Sequence, residues 1–139
     1  MTFAGINYLA VLVAAAAGLG IGTLWYMAFA RPWMAANNLT RETMAERRGK
    51  AGASLPFIFA FAACIVMAWV LAGVIGHLGT VTIRSGVISG LFCWLGFVVT
   101  TMLVNNSFAM RRPILLLIDG GYWLLVLVVM GATIGAMGV

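Results

Sequence analysis

The chain has 139 residues, 64% of them hydrophobic and 8% charged, with a mean hydropathy of +1.11. A soluble domain of this length needs far more polar surface, so composition places the chain in the membrane class. Eight Lys and Arg against three acids give a net charge of +5, but the cations sit in short segments between apolar runs, with no aromatic residues interleaved. That pattern excludes nucleic acid as a partner and leaves the lipid bilayer.

The first apolar run, about Gly5–Phe29, exceeds the roughly 20 residues that a spanning helix needs. Ala28-Phe29-Ala30 imitates a cleavage site, but no positive segment precedes the run and it is too long for a cleaved signal. It is read as a retained helix. Ala14, Gly18 and Gly22 recur at every fourth position, a flat stripe that lets helix backbones approach closely.

A polar loop over 30–52 follows, with Arg31, Arg41, Arg47, Arg48 and Lys50. A short helix is expected over Thr40–Lys50, capped by a Thr43–Glu46 box or one turn earlier by Thr40. Lying on the membrane surface, it would dip Leu39 and Met44 inward. Arg47, Arg48 and Lys50, with Arg111 and Arg112 of the later link, are candidates to contact anionic headgroups; the plainer alternative is simple charge bias.

The second run, about Ala53–Gly76, carries the stripe Cys64, Ala68, Ala72, Gly76. Cys64 and Cys93 both lie inside apolar runs, without a partner at metal-ligand spacing, and are read as packing residues rather than a disulfide or metal site. His77 stands alone in a short loop. The third run, about Gly86–Phe108, brings Gly86 and Gly90, and Asn105-Asn106 is read as its end. The fourth, about Pro113–Gly138, brings Gly131 and Gly135.

Continuous rather than alternating apolar runs specify helices. The expected fold is all-α, an integral membrane four-helix transmembrane bundle in a single domain, 1–139. Seven of the eight cations fall in the first loop and the Arg111-Arg112 link, against Arg84 on the other side. That split predicts cytoplasmic basic loops and both termini on the non-cytoplasmic side. Four small-residue stripes exceed the need of a minimal bundle, so self-association into a homo-oligomer is expected unless one protomer uses them all. Phe29-Ala30-Arg31-Pro32 and Phe108-Ala109-Met110-Arg111-Arg112-Pro113 leave their helices alike, as two repeated parallel hairpins would.

Asp119 is the one acid within an apolar run, and an ionised Asp at a span's centre costs about 2.5–3.5 kcal/mol. Counted from Pro113 it lies six residues, roughly 9 Å, inside the helix. At that depth it meets Asn105, Thr101 and Tyr26, with Tyr122 beside it, in a polar intramembrane site. Alternatively the embedded part begins at Gly120, and Asp119 is an interfacial acid at a helix N-terminus, paired with Arg111 or Arg112. This second, structural reading is preferred. Trp25, Trp33 and Trp123 are read as interfacial anchors.

The runs Ile6-Asn7-Tyr8-Leu9-Ala10-Val11-Leu12-Val13, Gly22-Thr23-Leu24-Trp25-Tyr26 and Pro32-Trp33-Met34 are matched by a distinctive ending. That ending is Arg112-Pro113, Ile118-Asp119-Gly120-Gly121-Tyr122 and Met130-Gly131-Ala132-Thr133-Ile134-Gly135-Ala136. Together these resemble bacterial membrane proteins grouped as the domain of unknown function numbered seventeen sixty-one, over nearly the whole chain. The Gly-Lys pair usual before Trp-Met in that family is replaced here by Ala30-Arg31-Pro32. The resemblance implies four helices in a bacterial inner membrane, multi-pass, with no established activity.

Two functions are expected. The first is a homo-oligomeric transport or permeation unit for a small solute or ion, motivated by an acid beside Gly120-Gly121, a pairing found in broken transporter helices. The alternative is a non-catalytic scaffold or accessory subunit working through its basic loop. No acid–base pair, nucleophile set or metal cluster is legible, so neither an enzyme nor a cofactor is expected.

Overall fold

The computed structural model describes residues 5–48 and 54–139, and the side chains of Arg47 and Arg48 fall outside that description. Among the described residues there is no strand. Helix α1 spans Tyr8–Ala28, α2 Ala30–Ala36, α3 Arg41–Arg48 and α4 Leu55–His77. The third span is α5 (Ile83–Cys93), a π-helical segment Trp94–Val99 and α6 (Thr100–Phe108); α7 spans Pro113–Met137. The four long helices, of 21 to 26 residues, are long and apolar enough to cross a bilayer. The chain is a multi-pass membrane protein.

The helix ends follow from local chemistry. Asn7 caps α1 by accepting from the Ala10 amide at 3.1 Å. Thr82 and Ser85 form a reciprocal capping box at the start of α5. Pro56 and Pro113 sit in the first turns of α4 and α7, where no amide hydrogen is needed. Helices α2 and α6 both close with a left-handed residue, Asn38 (φ 54) and Met110 (φ 50). The amides of Leu39 and Arg111 reach back to the carbonyls of Met34 and Asn106. Asn105-Asn106 therefore does not end the third helix; it runs on to Phe108, with these two carbonyls accepting the closing hydrogen bonds.

In the first loop one expectation fails, and of the two caps expected for the short helix one forms. Helix α2 forms where a plain loop was expected, because Pro32 occupies its first turn rather than its interior. Helix α3 is capped by Thr40, not by a Thr43–Glu46 box: Thr40 Oγ1 accepts from the Thr43 amide at 3.2 Å while Thr43 Oγ1 accepts from the Thr40 amide at 2.9 Å.

The core lies where α1, α4 and α7 meet: Ala14, Cys64, Ala68, Ile75, Val126, Met130 and Ile134 are essentially inaccessible. The small-residue stripes are consumed there. A Cβ on Gly18 would sit 2.7 Å from the Met130 methyl, and one on Gly22 would meet the Tyr122 ring. The α5–α7 crossing is closer still. A Cβ on Gly86 would strike the Gly131 carbonyl, one on Gly90 the Leu127 carbonyl, and one on Gly135 the Thr82 carbonyl. Backbone-to-backbone contact of this kind is how helices associate without a hydrophobic drive. Gly76, by contrast, is exposed at its helix end near Val139. With the stripes occupied within one chain, they supply no argument for a second copy.

Past Trp94 the third span is more exposed: no residue of the π-helical segment or of α6 is buried.

Candidate functional site

The site is built on the second turn of α7. Pro113 starts that helix six residues before Asp119, so Asp119 is not an N-terminal, dipole-stabilised acid. Its side chain is 15% exposed. Asp119 Oδ1 accepts a hydrogen bond from the Tyr26 hydroxyl at 2.7 Å and another from Trp33 Nε1 at 3.1 Å. Asp119 Oδ2 lies 4.0 Å from the Arg111 guanidinium, which also donates to Asn37 at 3.3 Å and to Asn106 at 3.4 Å. Arg112 instead donates to the Ala35 carbonyl.

Two more indoles hold the same turn. Trp25 Nε1 donates to the Ile118 carbonyl at 3.0 Å, and Trp94 Nε1 to the Gly120 carbonyl at 2.8 Å. Both carbonyls thus accept beyond the α-helical ladder. Three indoles and a phenol from α1, α2 and the third span converge on three consecutive residues. Gly121 makes room for this, since the Trp25 ring would lie 3.0 Å from a Cβ there. The kink at Phe29, which separates α1 from α2, turns Trp33 back towards α7. Helix α7 is continuous through Gly120-Gly121, so the broken-helix argument for transport does not hold.

Of the expected site residues, Tyr26, Asp119 and Tyr122 come together: the Tyr26 and Tyr122 rings lie 5.3 Å apart, edge to face. Thr101 does not join them; its hydroxyl donates to the Phe97 carbonyl on its own helix. Asn105 is exposed, while its neighbour Asn106 takes the Arg111 hydrogen bond. Lys50 lies outside the described residues, as do the side chains of Arg47 and Arg48.

A half-open cavity of about 660 Å³ lies on the outer side of this clamp, between α1 and the start of α4, with α2 and α3 across one end. Tyr26, Trp33, Met34, Met44, Phe57 and Trp123 are among its walls. Such a volume suits a small organic ligand. Asp119 does not line the cavity, but two of the lining side chains, Tyr26 and Trp33, are those bonded to it. Sequence reasoning missed the cavity, and missed Trp25, Trp33 and Trp94 as ligands of α7. Their only signal was three tryptophans flanking the depth of one buried acid.

Beyond Tyr122 the interior is closed by Val126, Met130 and Ile134 against Ala14, Ala15 and Ile75. Among the described residues no group of three His, Cys, Asp or Glu is placed to hold a metal ion.

No curated protein matches the chain, and no solved structure does. A family model described as "Protein of unknown function (DUF1761)" matches residues 9–135, nearly the full length and all four spans. The chain belongs to that family of unknown function.

Proposed function

We propose that the protein binds a small, mainly apolar solute in the cavity between α1 and α4, as the loading site of a transport unit that opens towards the arginine-bearing end. The observation that carries this reading is the cavity itself: about 660 Å³, lined by aromatic and methionine side chains. The closed core beyond Tyr122 supports one-sided loading rather than a standing pore. Passage therefore requires the bundle to open, or a route between copies.

Ala60 and Ala63 line the cavity on α4, and Ala60→Trp obstructs it. An uncharged apolar probe, 4-phenylbutanol, should bind the wild-type protein in nanodiscs, quench its tryptophan emission saturably, and lose at least about tenfold in affinity in Ala60→Trp. Equal, non-saturable quenching in both proteins overturns the reading.

The second reading is a scaffold or accessory subunit. The four donors fixing residues 118–120 favour it, because they rigidify the end that carries the basic segments. Saturable solute binding without any uptake into proteoliposomes would favour this second role.

A further inference from the structure

We infer that the solute taken by this cavity is a lipophilic ammonium cation, its apolar body on the methionine and phenylalanine walls and its charge on the Tyr26–Trp33 wall. The inference rests on the reading of the cavity as a binding site, and it adds the chemical class of the ligand.

Three polar side chains of the lining have already spent their hydrogens inside the protein. Thr23 donates to the Leu19 carbonyl at 3.1 Å, while Tyr26 and Trp33 both donate to Asp119. What Thr23 and Tyr26 still offer the cavity is oxygen lone pairs, which accept but do not donate. A ligand that brings donors matches them. Six aromatic rings line the cavity, those of Tyr26, Trp33, Phe57, Phe59, Tyr122 and Trp123. Ring faces attract cations, most strongly where water is excluded.

The acid nearest the cavity points the same way. Asp119 is the one acid in the four spans, and its Oδ1 lies one hydrogen bond behind the Tyr26 oxygen. Arg111 approaches the other oxygen, at 4.0 Å, from a side chain 36% exposed. A screened contact of that length compensates the carboxylate only in part. The carboxylate reaches the cavity side through the Tyr26 phenol, whose oxygen it polarises. An anionic ligand would face the same carboxylate without a donor on the Thr23 and Tyr26 wall, with the Trp123 indole as an N–H donor elsewhere in the lining.

The test compares three probes with one carbon skeleton, 4-phenylbutylammonium, 4-phenylbutanol and 4-phenylbutanoate, against the full chain in zwitterionic nanodiscs. Affinity is read by saturable tryptophan quenching. The ammonium should bind about tenfold tighter than the alcohol, and the carboxylate more weakly than either. Asp119→Asn keeps an acceptor for Tyr26 and Trp33 but removes the charge, and should shrink the ammonium advantage to below about twofold. Arg111→Gln should enlarge it. Should Asp119→Asn fail to fold, Tyr26→Phe carries the test, because it deletes the acceptor oxygen and leaves the carboxylate in place. Equal binding of all three probes, or preference for the carboxylate, overturns the cation assignment while leaving the cavity a binding site. Absence of saturable binding by every probe overturns both.

Discussion

The Tyr26 hydroxyl donates to Asp119 Oδ1 at 2.7 Å across 93 positions of sequence, and Trp33 shares the same oxygen from the next helix. One carboxylate thus ties α1 and α2 to α7. A hydrogen bond to a charged partner contributes about 1.5–3 kcal/mol in water-soluble proteins, and polar contacts within membranes average somewhat less. Tyr26→Phe is therefore expected to lower stability by about 1–2 kcal/mol, measured by reversible unfolding in mixed micelles. An unchanged unfolding midpoint would show that the contact holds nothing.

Trp94 binds the third span to α7 at the point where the helix widens. Beyond it, α6 has no buried residue to hold it in place. Trp94→Phe preserves the ring but loses the donor to Gly120. Amide exchange across Thr100–Phe108 should then accelerate while that of Tyr8–Ala28 stays constant. Uniform acceleration along both spans would contradict this local role.

The α5–α7 crossing depends on the absence of side chains. Gly131→Ala places a methyl group on the Gly86 carbonyl, which cannot yield as a flexible side chain would. It should cost at least about 1–3 kcal/mol. Gly20→Ala is the control, because nothing lies within 4 Å of a Cβ there, and it should stabilise α1 by up to about 1 kcal/mol. Equal effects of the two substitutions on unfolding would refute the crossing geometry.

Helix α3 closes one end of the cavity through Met44, and its cap is the Thr40–Thr43 pair. Thr40→Ala should cost about 1 kcal/mol of local stability and weaken probe binding. The Glu42 carboxyl is held below its ordinary range, first by its own backbone amide and then by Thr40. A depressed folded-state value adds stability to α3 above the ordinary carboxylate range, and that stability disappears as pH falls through the folded value. An NMR titration of α3 amides should show fraying on acidification, with Glu42→Gln removing the pH dependence.

Much of this architecture was legible from sequence, for identifiable reasons. Four continuous apolar runs admit few other folds in lipid, and glycines every fourth residue mark close-packing faces, though not that Gly86 meets Gly131. The Tyr26–Asp119 meeting followed from matching depths along two helices. Depth does not give rotation about the helix axis, however. Thr101 and Asn105 were expected at the depth of Asp119, but Thr101 bonds a carbonyl of its own helix and Asn105 is exposed. Trp25 and Trp33 were opaque for a related reason. An indole near a span's end reads as a lipid anchor until the carbonyl it faces is known. The segment through Pro32 read as the plain exit of the first span, and the chain instead uses it to start α2, which carries Trp33.

The central claim is that the cavity between α1 and α4 holds a ligand. An apolar diazirine probe, photoactivated in nanodiscs and mapped by peptide mass spectrometry, tests it most directly. Labels should concentrate on Met27, Met34, Met44 and the Phe57–Ala63 turns, and competing 4-phenylbutanol should remove them. Labels spread over Phe92, Phe97 and Phe108 on the third span's outer face at the same density, insensitive to competitor, would contradict it.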